Sequence, residues 1–177
     1  MIEGLSLIIL LGLSAFFSGS ETALIALSRA RTDALAETGR PGARSLRQLK
    51  QNPSRMLVAI LIGNNLVNIS ASALATVLAT RAFGSIGPGI AVGGLTVVIL
   101  IFGEITPKSL ATRYSERISL AVAPIILALV HITVPVSRVF EYFTRNATSP
   151  GAGEDPTVTE SELISMAGYG EEEGTIE

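Results

Sequence analysis

Four long stretches without a charged residue constrain most strongly what this chain can fold into. They run from Gly4 to Ser20, Leu57 to Thr80, Ala82 to Gly103 and Ile118 to Ser137. Each is close to the roughly 20 residues that an α-helix needs to cross the hydrocarbon core of a bilayer. Only 16 % of the residues are Asp, Glu, Lys or Arg, whereas soluble domains contain about a quarter. The chain is therefore interpreted as an all-α membrane protein.

The distribution of basic residues predicts the orientation of the helices. The first stretch continues past Glu21 to Leu27, and between Leu27 and Leu57 lie seven basic residues and only two acidic ones, Asp33 and Glu37. Short loops rich in Lys and Arg stay on the cytoplasmic side of a membrane. The N-terminus is then expected outside, and the second and third stretches are expected to run outward and return.

The fourth stretch fits this alternation less simply. Basic residues flank it on both sides, and Pro124 and Pro135 each remove a helical hydrogen bond inside it. We predict a kinked juxtamembrane helix that stays on the cytoplasmic side. The alternative, an ordinary fourth span, would put the acidic C-terminal residues outside.

The loop between the first two stretches is predicted to form two short helices. Gly39–Gly42, with arginine and proline between the glycines, separates them. Leucines 35, 46 and 49 form a thin apolar side, so the pair would either lie against lipid headgroups or form a solvated hairpin. Asn52 before Pro53 is typical of a helix start and predicts that the second membrane helix begins there.

The composition excludes several kinds of site. The chain has no cysteine and one histidine, so cysteine-ligated and histidine-rich metal sites are excluded and a metal would be bound by oxygen. Basic residues are scattered among apolar runs, which is unlike a nucleic-acid binder. An intramembrane hydrolase using Ser18 or Ser20 would lack a histidine or lysine base on the neighbouring faces. An enzyme is therefore not expected.

Ionisable side chains inside membrane segments are rare and indicate functional sites. Glu104 lies near the end of the third stretch, three residues before Pro107. A proline in a helix leaves the carbonyl four residues earlier, here that of Gly103, without its donor, and it biases the preceding Thr106 away from helical angles. A carboxylate and an open backbone oxygen are thus expected side by side. The other carboxylate at membrane depth, Glu21, is explained equally well by pairing with an arginine near the headgroups.

Neutral polar residues share one face on each of the first two helices. Ser18 belongs to a polar stripe on the first, and Asn64, Asn68 and Ser72 follow each other at helical spacing on the second. At about 1.5 Å per residue, Ser18 lies roughly 13 Å from the cytoplasmic end, Asn64 roughly 10 Å and Glu104 roughly 5 Å. Singly, each serine or asparagine is better explained by hydrogen bonding to a neighbouring helix. Together with the glutamate, these hard oxygen donors predict a site for Mg²⁺ or Na⁺.

Three sequence stretches resemble a known family. FFSGSETALIALSRAR, LVAILIGNNLVNI and ILIFGEITPKSLATRYSE are similar to the signature stretches of the transmembrane domain of the CorC and cyclin M (CNNM) divalent-cation transport mediators. The resemblance covers about residues 5–146 and rests on three motifs in the same order.

The resemblance implies a homodimer in the lipid bilayer, with three spanning helices and a juxtamembrane helix in each protomer. It implies an acidic cavity that opens to the cytosol and holds Mg²⁺, with Na⁺ exchange proposed as the driving force. The residues that match the family's metal ligands are Ser18, Asn64, Asn68, Gly103 and Glu104. Animal members have an uncharged residue where Glu21 stands, which leaves its role open.

The expected domain organisation follows from these stretches. Residues 1–146 form the transmembrane domain, with helices at about 4–27, 54–80 and 86–106 and a juxtamembrane helix at about 109–145. Residues 147–177 contain eight acidic residues and no basic one. They resemble the acidic linker that precedes a cytosolic pair of CBS domains in the family, so the chain is expected to be cut before those domains. Nucleotide would act only through them.

The leading hypothesis is a plasma-membrane transporter that exports Mg²⁺ in exchange for Na⁺ through an inward-facing Mg²⁺ site within the membrane. Its N-terminus would lie outside and its C-terminus in the cytoplasm. The alternative is a regulatory membrane protein that senses Mg²⁺ and transports none. The sequence leaves the direction of transport, the Na⁺ site and the dimer surface open.

Overall fold

The structure, a computed structural model, describes residues 2–147, with side-chain burial from residue 3 to residue 134. The acidic linker predicted at 147–177 lies outside these residues except for its first position. The chain divides into two units, Met1–Ser137 and Arg138–Glu177. All the site residues considered below belong to the first unit.

Every regular element in the described residues is helical. In chain order they are α1 (Ile2–Ala26), α2 (Arg29–Glu37), α3 (Ala43–Gln51), α4 (Pro53–Phe83), a 3-10 turn (Gly84–Ile86), α5 (Gly87–Val98), a π segment (Ile99–Ile105), α6 (Thr106–Arg113) and α7 (Ser115–Ala147). The predicted all-α fold is confirmed for this part of the chain.

Three helical stretches within residues 2–147 are long and apolar enough to cross a membrane. They are Glu3–Ala26, Pro53–Arg113 and Ser115–Val134. The second has 61 residues, about 90 Å if it were straight, which is roughly three times the hydrocarbon thickness. It folds back at the 3-10 turn, and α5 packs along α4. A Cβ at Gly87 would lie 2.4 Å from the Ala79 carbonyl oxygen, so only glycine allows this close return.

The third membrane helix differs from the sequence prediction around Pro107. Thr106 has helical angles, φ −63° and ψ −49°, so the expectation that proline would move it out of the helical region is wrong. The preceding π segment provides the reason: its wider turn pairs the Thr106 N–H with the carbonyl of Ile101, five residues back. This extra residue per turn accommodates the proline ring, and the helix continues as α6.

The two short helices of the basic loop are present as predicted, as α2 and α3. The Ser28 hydroxyl caps α2 by accepting a hydrogen bond from the Arg31 N–H at 3.2 Å. Asn52 occupies the N-cap position of α4, with Pro53 following, but its side chain makes no capping bond.

The apolar side of this hairpin corrects both interpretations offered for it. Leu35, Leu46 and Leu49 are at most 4 % exposed, and they lie in one cluster with residues of α1, α4 and α7. They therefore contact neither headgroups nor water. Burial of three leucines stabilises the hairpin against the ends of the membrane helices by several kcal/mol, at about 2 kcal/mol for each side chain.

Helix α7 begins at Ser115, later than the predicted 109, and runs without interruption through Pro124 and Pro135. Its first turns pack on the hairpin: Leu120 and Ile126 join the same buried cluster. Glu116 accepts hydrogen bonds from Arg31, at 2.8 Å and 3.0 Å, and from Arg40. A kink at the prolines remains a prediction.

Candidate metal site

Helix α1 is the central element of the site region. It packs against α4, the π segment and α6, and small residues set each approach. A Cβ at Gly63 would lie 2.5 Å from the Phe17 ring, and one at Gly103 would lie 2.9 Å from the Ser14 hydroxyl. Gly19 faces Pro107, whose carbonyl oxygen would be 3.5 Å from an added Cβ. The stretches that carry the predicted ligands are therefore in direct contact.

A cavity of about 280 Å³ lies between α4 and the α5–π–α6 helix, and Asn68 and Glu104 both line it. Its remaining polar lining consists of Ser72, Thr76 and Thr96. Two of the five predicted ligands, Asn68 and Glu104, thus line the same cavity. The three hydroxyl residues extend the polar lining beyond them.

Both threonines in the cavity lining donate their hydroxyl protons to backbone carbonyls. Thr76 donates its hydroxyl proton to the Ser72 carbonyl at 2.8 Å, and Thr96 donates to the Val92 carbonyl at 2.6 Å. Because each proton is used within its own helix, the hydroxyl oxygen remains an acceptor. Acceptor oxygens at this position suit a cation.

Several buried side-chain oxygens have no hydrogen-bond partner. Within the residues whose side chains are described, the buried side-chain atoms without a partner are Ser14 Oγ, Ser18 Oγ, Ser20 Oγ, Asn64 Oδ1, Asn68 Oδ1 and Ser119 Oγ. A buried polar group left unpaired costs about 1–3 kcal/mol. Three of the six are predicted ligands, so the arrangement favours a cation that would satisfy them.

The backbone near Glu104 supplies a further open oxygen. Pro107 has no N–H, so in an α-helical register the carbonyl of Gly103 loses its partner. In the π register of Ile99–Ile105, each N–H pairs with the carbonyl five residues earlier, so the carbonyl that lacks its donor at Pro107 is that of Phe102. The open carbonyl therefore lies within one residue of the predicted position, on the turn that carries the glutamate.

The predicted ligands do not all share one cavity. Ser18, Asn64 and Gly103 do not line the 280 Å³ cavity. They are buried or half-buried among α1, α4 and the π segment, and Glu21 does not line the cavity either. A second cavity of about 460 Å³, lined almost wholly by apolar residues, lies between α1, α4 and α5. The full five-residue ligand set thus remains a prediction.

The sequence contains a signal for Thr76. Asn64, Asn68 and Ser72 repeat every four residues, and Thr76 continues the repeat. Thr96 had no such signal, because its place depends on how α5 folds back on α4. No cluster of three or more His, Asp or Glu occurs in the portion of the chain that the structure describes. Glu104 would therefore act with neutral oxygens.

Comparison with known proteins gives consistent matches. Residues 5–177 match the family model described as the cyclin M transmembrane N-terminal domain. A UPF0053 protein of Haemophilus influenzae is 46 % identical over 140 residues, covering 79 % of this chain and 33 % of that protein. The UPF0053 inner membrane protein YfjD of Escherichia coli is 40 % identical over 133 residues, covering 75 % and 31 %.

A plant protein matches over a longer stretch. A chloroplastic DUF21 domain-containing protein of Arabidopsis thaliana is 41 % identical over 179 aligned residues, covering 99 % of this chain and 27 % of that protein. The chain thus spans about a third or less of the length of these three relatives.

Proposed function

The chain belongs to the cyclin M transmembrane domain family, and on this premise we propose that it transports Mg²⁺ across a membrane. The proposed reaction is export driven by Na⁺ entry. The observation that carries it is the cavity in which Glu104 lies with Asn68, whose buried Oδ1 has no hydrogen-bond partner. A carboxylate and an unpaired oxygen are energetically costly at membrane depth, and helix packing alone does not require them. Their presence therefore indicates a function.

The proposed site provides the chemistry that Mg²⁺ requires. Glu104 supplies the negative charge, and Asn68 supplies an amide oxygen in the same cavity. Ser18, Asn64 and the backbone carbonyl of Gly103, one residue from the carbonyl that the π register leaves open, would complete the shell. Mg²⁺ prefers near-octahedral oxygen geometry and loses water reluctantly. Selectivity would follow from replacing part of the water shell by oxygens at fixed distances.

A measurement of Mg²⁺ flux distinguishes a transporter from a protein that only senses the ion. Purified protein in liposomes with an internal Mg²⁺ indicator should let Mg²⁺ cross the bilayer. The flux should be faster when the Na⁺ gradient drives Na⁺ in the direction opposite to Mg²⁺. Protein-free liposomes and the Glu104→Gln variant are the controls. Mg²⁺ binding without flux would instead support a regulatory protein that senses the ion.

The cavity also supports the proposed homodimer. Two of its polar residues, Ser72 and Thr96, are exposed in the single chain. Polar groups facing hydrocarbon are unfavourable, so a second copy of the chain would cover this side in the bilayer. The dimer would then enclose the cation site from lipid.

We propose a cell membrane location, with the N-terminus outside and the hairpin in the cytoplasm. The chain has no cysteine, so single cysteines report topology without background. A membrane-impermeant maleimide should label Ser85→Cys in intact cells, and it should label Gln48→Cys only after lysis. The reverse pattern would contradict the orientation. Glu177→Cys should behave like Gln48→Cys, whereas labelling from outside would mean that α7 crosses.

Thr76 in the cavity lining provides a test of whether the ion passes through this cavity. Thr76→Val keeps the shape of the side chain and removes an acceptor oxygen from the cavity lining. We expect Mg²⁺ flux to fall about three- to tenfold, as for the loss of one polar contact. Thr80→Val is the matched control, because Thr80 makes the same backward hydrogen bond, to the Thr76 carbonyl at 2.7 Å, but does not line the cavity. Equal effects of both variants would exclude a role specific to the lining.

A further inference from the structure

The hairpin carries a cleft that the proposed transport does not use. It has a volume of about 190 Å³ and lies between α2 and α3. Its lining residues are Arg29, Thr32, Asp33, Arg47, Lys50 and Gln51. Three are basic and one is acidic, so the cleft has a formal charge of +2.

Contacts inside the cleft leave part of this positive charge without a counterion. Asp33 accepts a hydrogen bond from Arg47 at 2.9 Å and neutralises it. The Lys50 ammonium donates to the Leu27 carbonyl oxygen at 2.5 Å, which is a neutral partner. Burial lowers the pKa of Lys50, and the nearby Arg29 lowers it further. Among the residues that the structure describes, neither Arg29 nor Lys50 forms an ion pair, so two cations lie close together in the cleft.

The cleft lies at the level where the membrane helices end. Leu27, which holds Lys50, follows directly after α1, and α4 begins at Pro53, three residues after Lys50. The apolar side of the hairpin is buried in protein, so the polar cleft is left to face outward. In the proposed orientation this is the depth of the cytoplasmic lipid headgroups.

We propose that this cleft binds the phosphate group of an acidic phospholipid. Arginine presents a planar fork of donors that matches phosphate oxygens, and lysine adds a point charge. Basic residues beside a membrane helix are attracted to the anionic cytoplasmic leaflet. A bound headgroup would supply the anion that Arg29 and Lys50 lack and would fix the hairpin at the membrane surface.

The test is titration calorimetry on the whole chain in a neutral detergent. The probes are dioctanoyl phosphatidylglycerol, dioctanoyl phosphatidylcholine and inorganic phosphate. We compare wild type with Arg29→Gln, which removes a cation from the cleft. Arg44→Gln is the matched control, because it removes the same charge from an exposed position on α3 that does not line the cleft.

We expect saturable binding of phosphatidylglycerol, at least tenfold weaker binding of phosphatidylcholine, and a five- to tenfold loss in Arg29→Gln. Arg44→Gln should change the affinity less than twofold. Equal losses in the two variants would show a general surface-charge effect and overturn the cleft assignment. Inorganic phosphate binding as tightly as the lipid would overturn the lipid assignment in favour of a soluble phosphate. No binding of any probe would overturn the site itself.

Discussion

Replacing Glu104 by glutamine should abolish measurable Mg²⁺ binding. Glutamine keeps the size of the side chain and one oxygen but removes the negative charge. Among the described residues that line the cavity, Glu104 is the only acidic one, so no other carboxylate in that described lining can take its place. Changes to groups that only support metal ligands cost about 10–100-fold in affinity. Loss of the charged ligand itself should therefore exceed about 100-fold.

Calorimetric titration of MgCl₂ into wild-type and variant protein at constant ionic strength measures this effect. Glu37→Gln is the control, because it removes the same charge from an exposed position at the end of α2. The control should keep wild-type affinity, and both variants should unfold at the wild-type temperature. An unchanged affinity in Glu104→Gln would show that the cation site lies elsewhere.

The membrane helices could be predicted because their signal is local. A charge-free stretch of about 20 residues specifies a spanning helix wherever its neighbours lie, and proline after Asn52 fixes the start of α4. The signal for the polar face of α4 is also local, since side chains that repeat every four residues lie on a common face of a helix. Thr76 continues that repeat and shares the face of Asn68 and Ser72.

The remaining features depend on contacts between distant residues. The leucines of α2 and α3 formed a clear apolar side, but the sequence did not show what would cover it. Burial against α7 requires Leu120 to meet Gly42, 78 residues earlier in the chain. The π segment before Pro107 was equally hidden, because an α-helix and a π-helix differ in pairing and not in hydrophobic pattern.

Replacing Gly42 by alanine should release the hairpin from α7. Gly42 has a φ of +82°, which disfavours any residue with a Cβ by about 1–2 kcal/mol. The added carbon would also lie 2.0 Å from the Leu120 carbonyl oxygen, so one of the two backbones would have to move. Overpacking of this kind costs about 1–3 kcal/mol more. Since 1 kcal/mol shifts the unfolding temperature of a chain of this size by about 2–4 °C, we expect a fall on the order of 10 °C.

Gly39→Ala separates the two contributions. Gly39 lies in the same turn with a similar φ of +69°, but an added Cβ there would have no neighbour within 4 Å. It should therefore lose only the conformational part, on the order of 4 °C. Thermal unfolding in detergent, followed by circular dichroism, measures both variants. Because the two changes share their backbone strain, the difference between them reports the contact of the hairpin with α7. Equal shifts would mean that α7 does not pack on the hairpin, and its cytoplasmic position would lose its structural support.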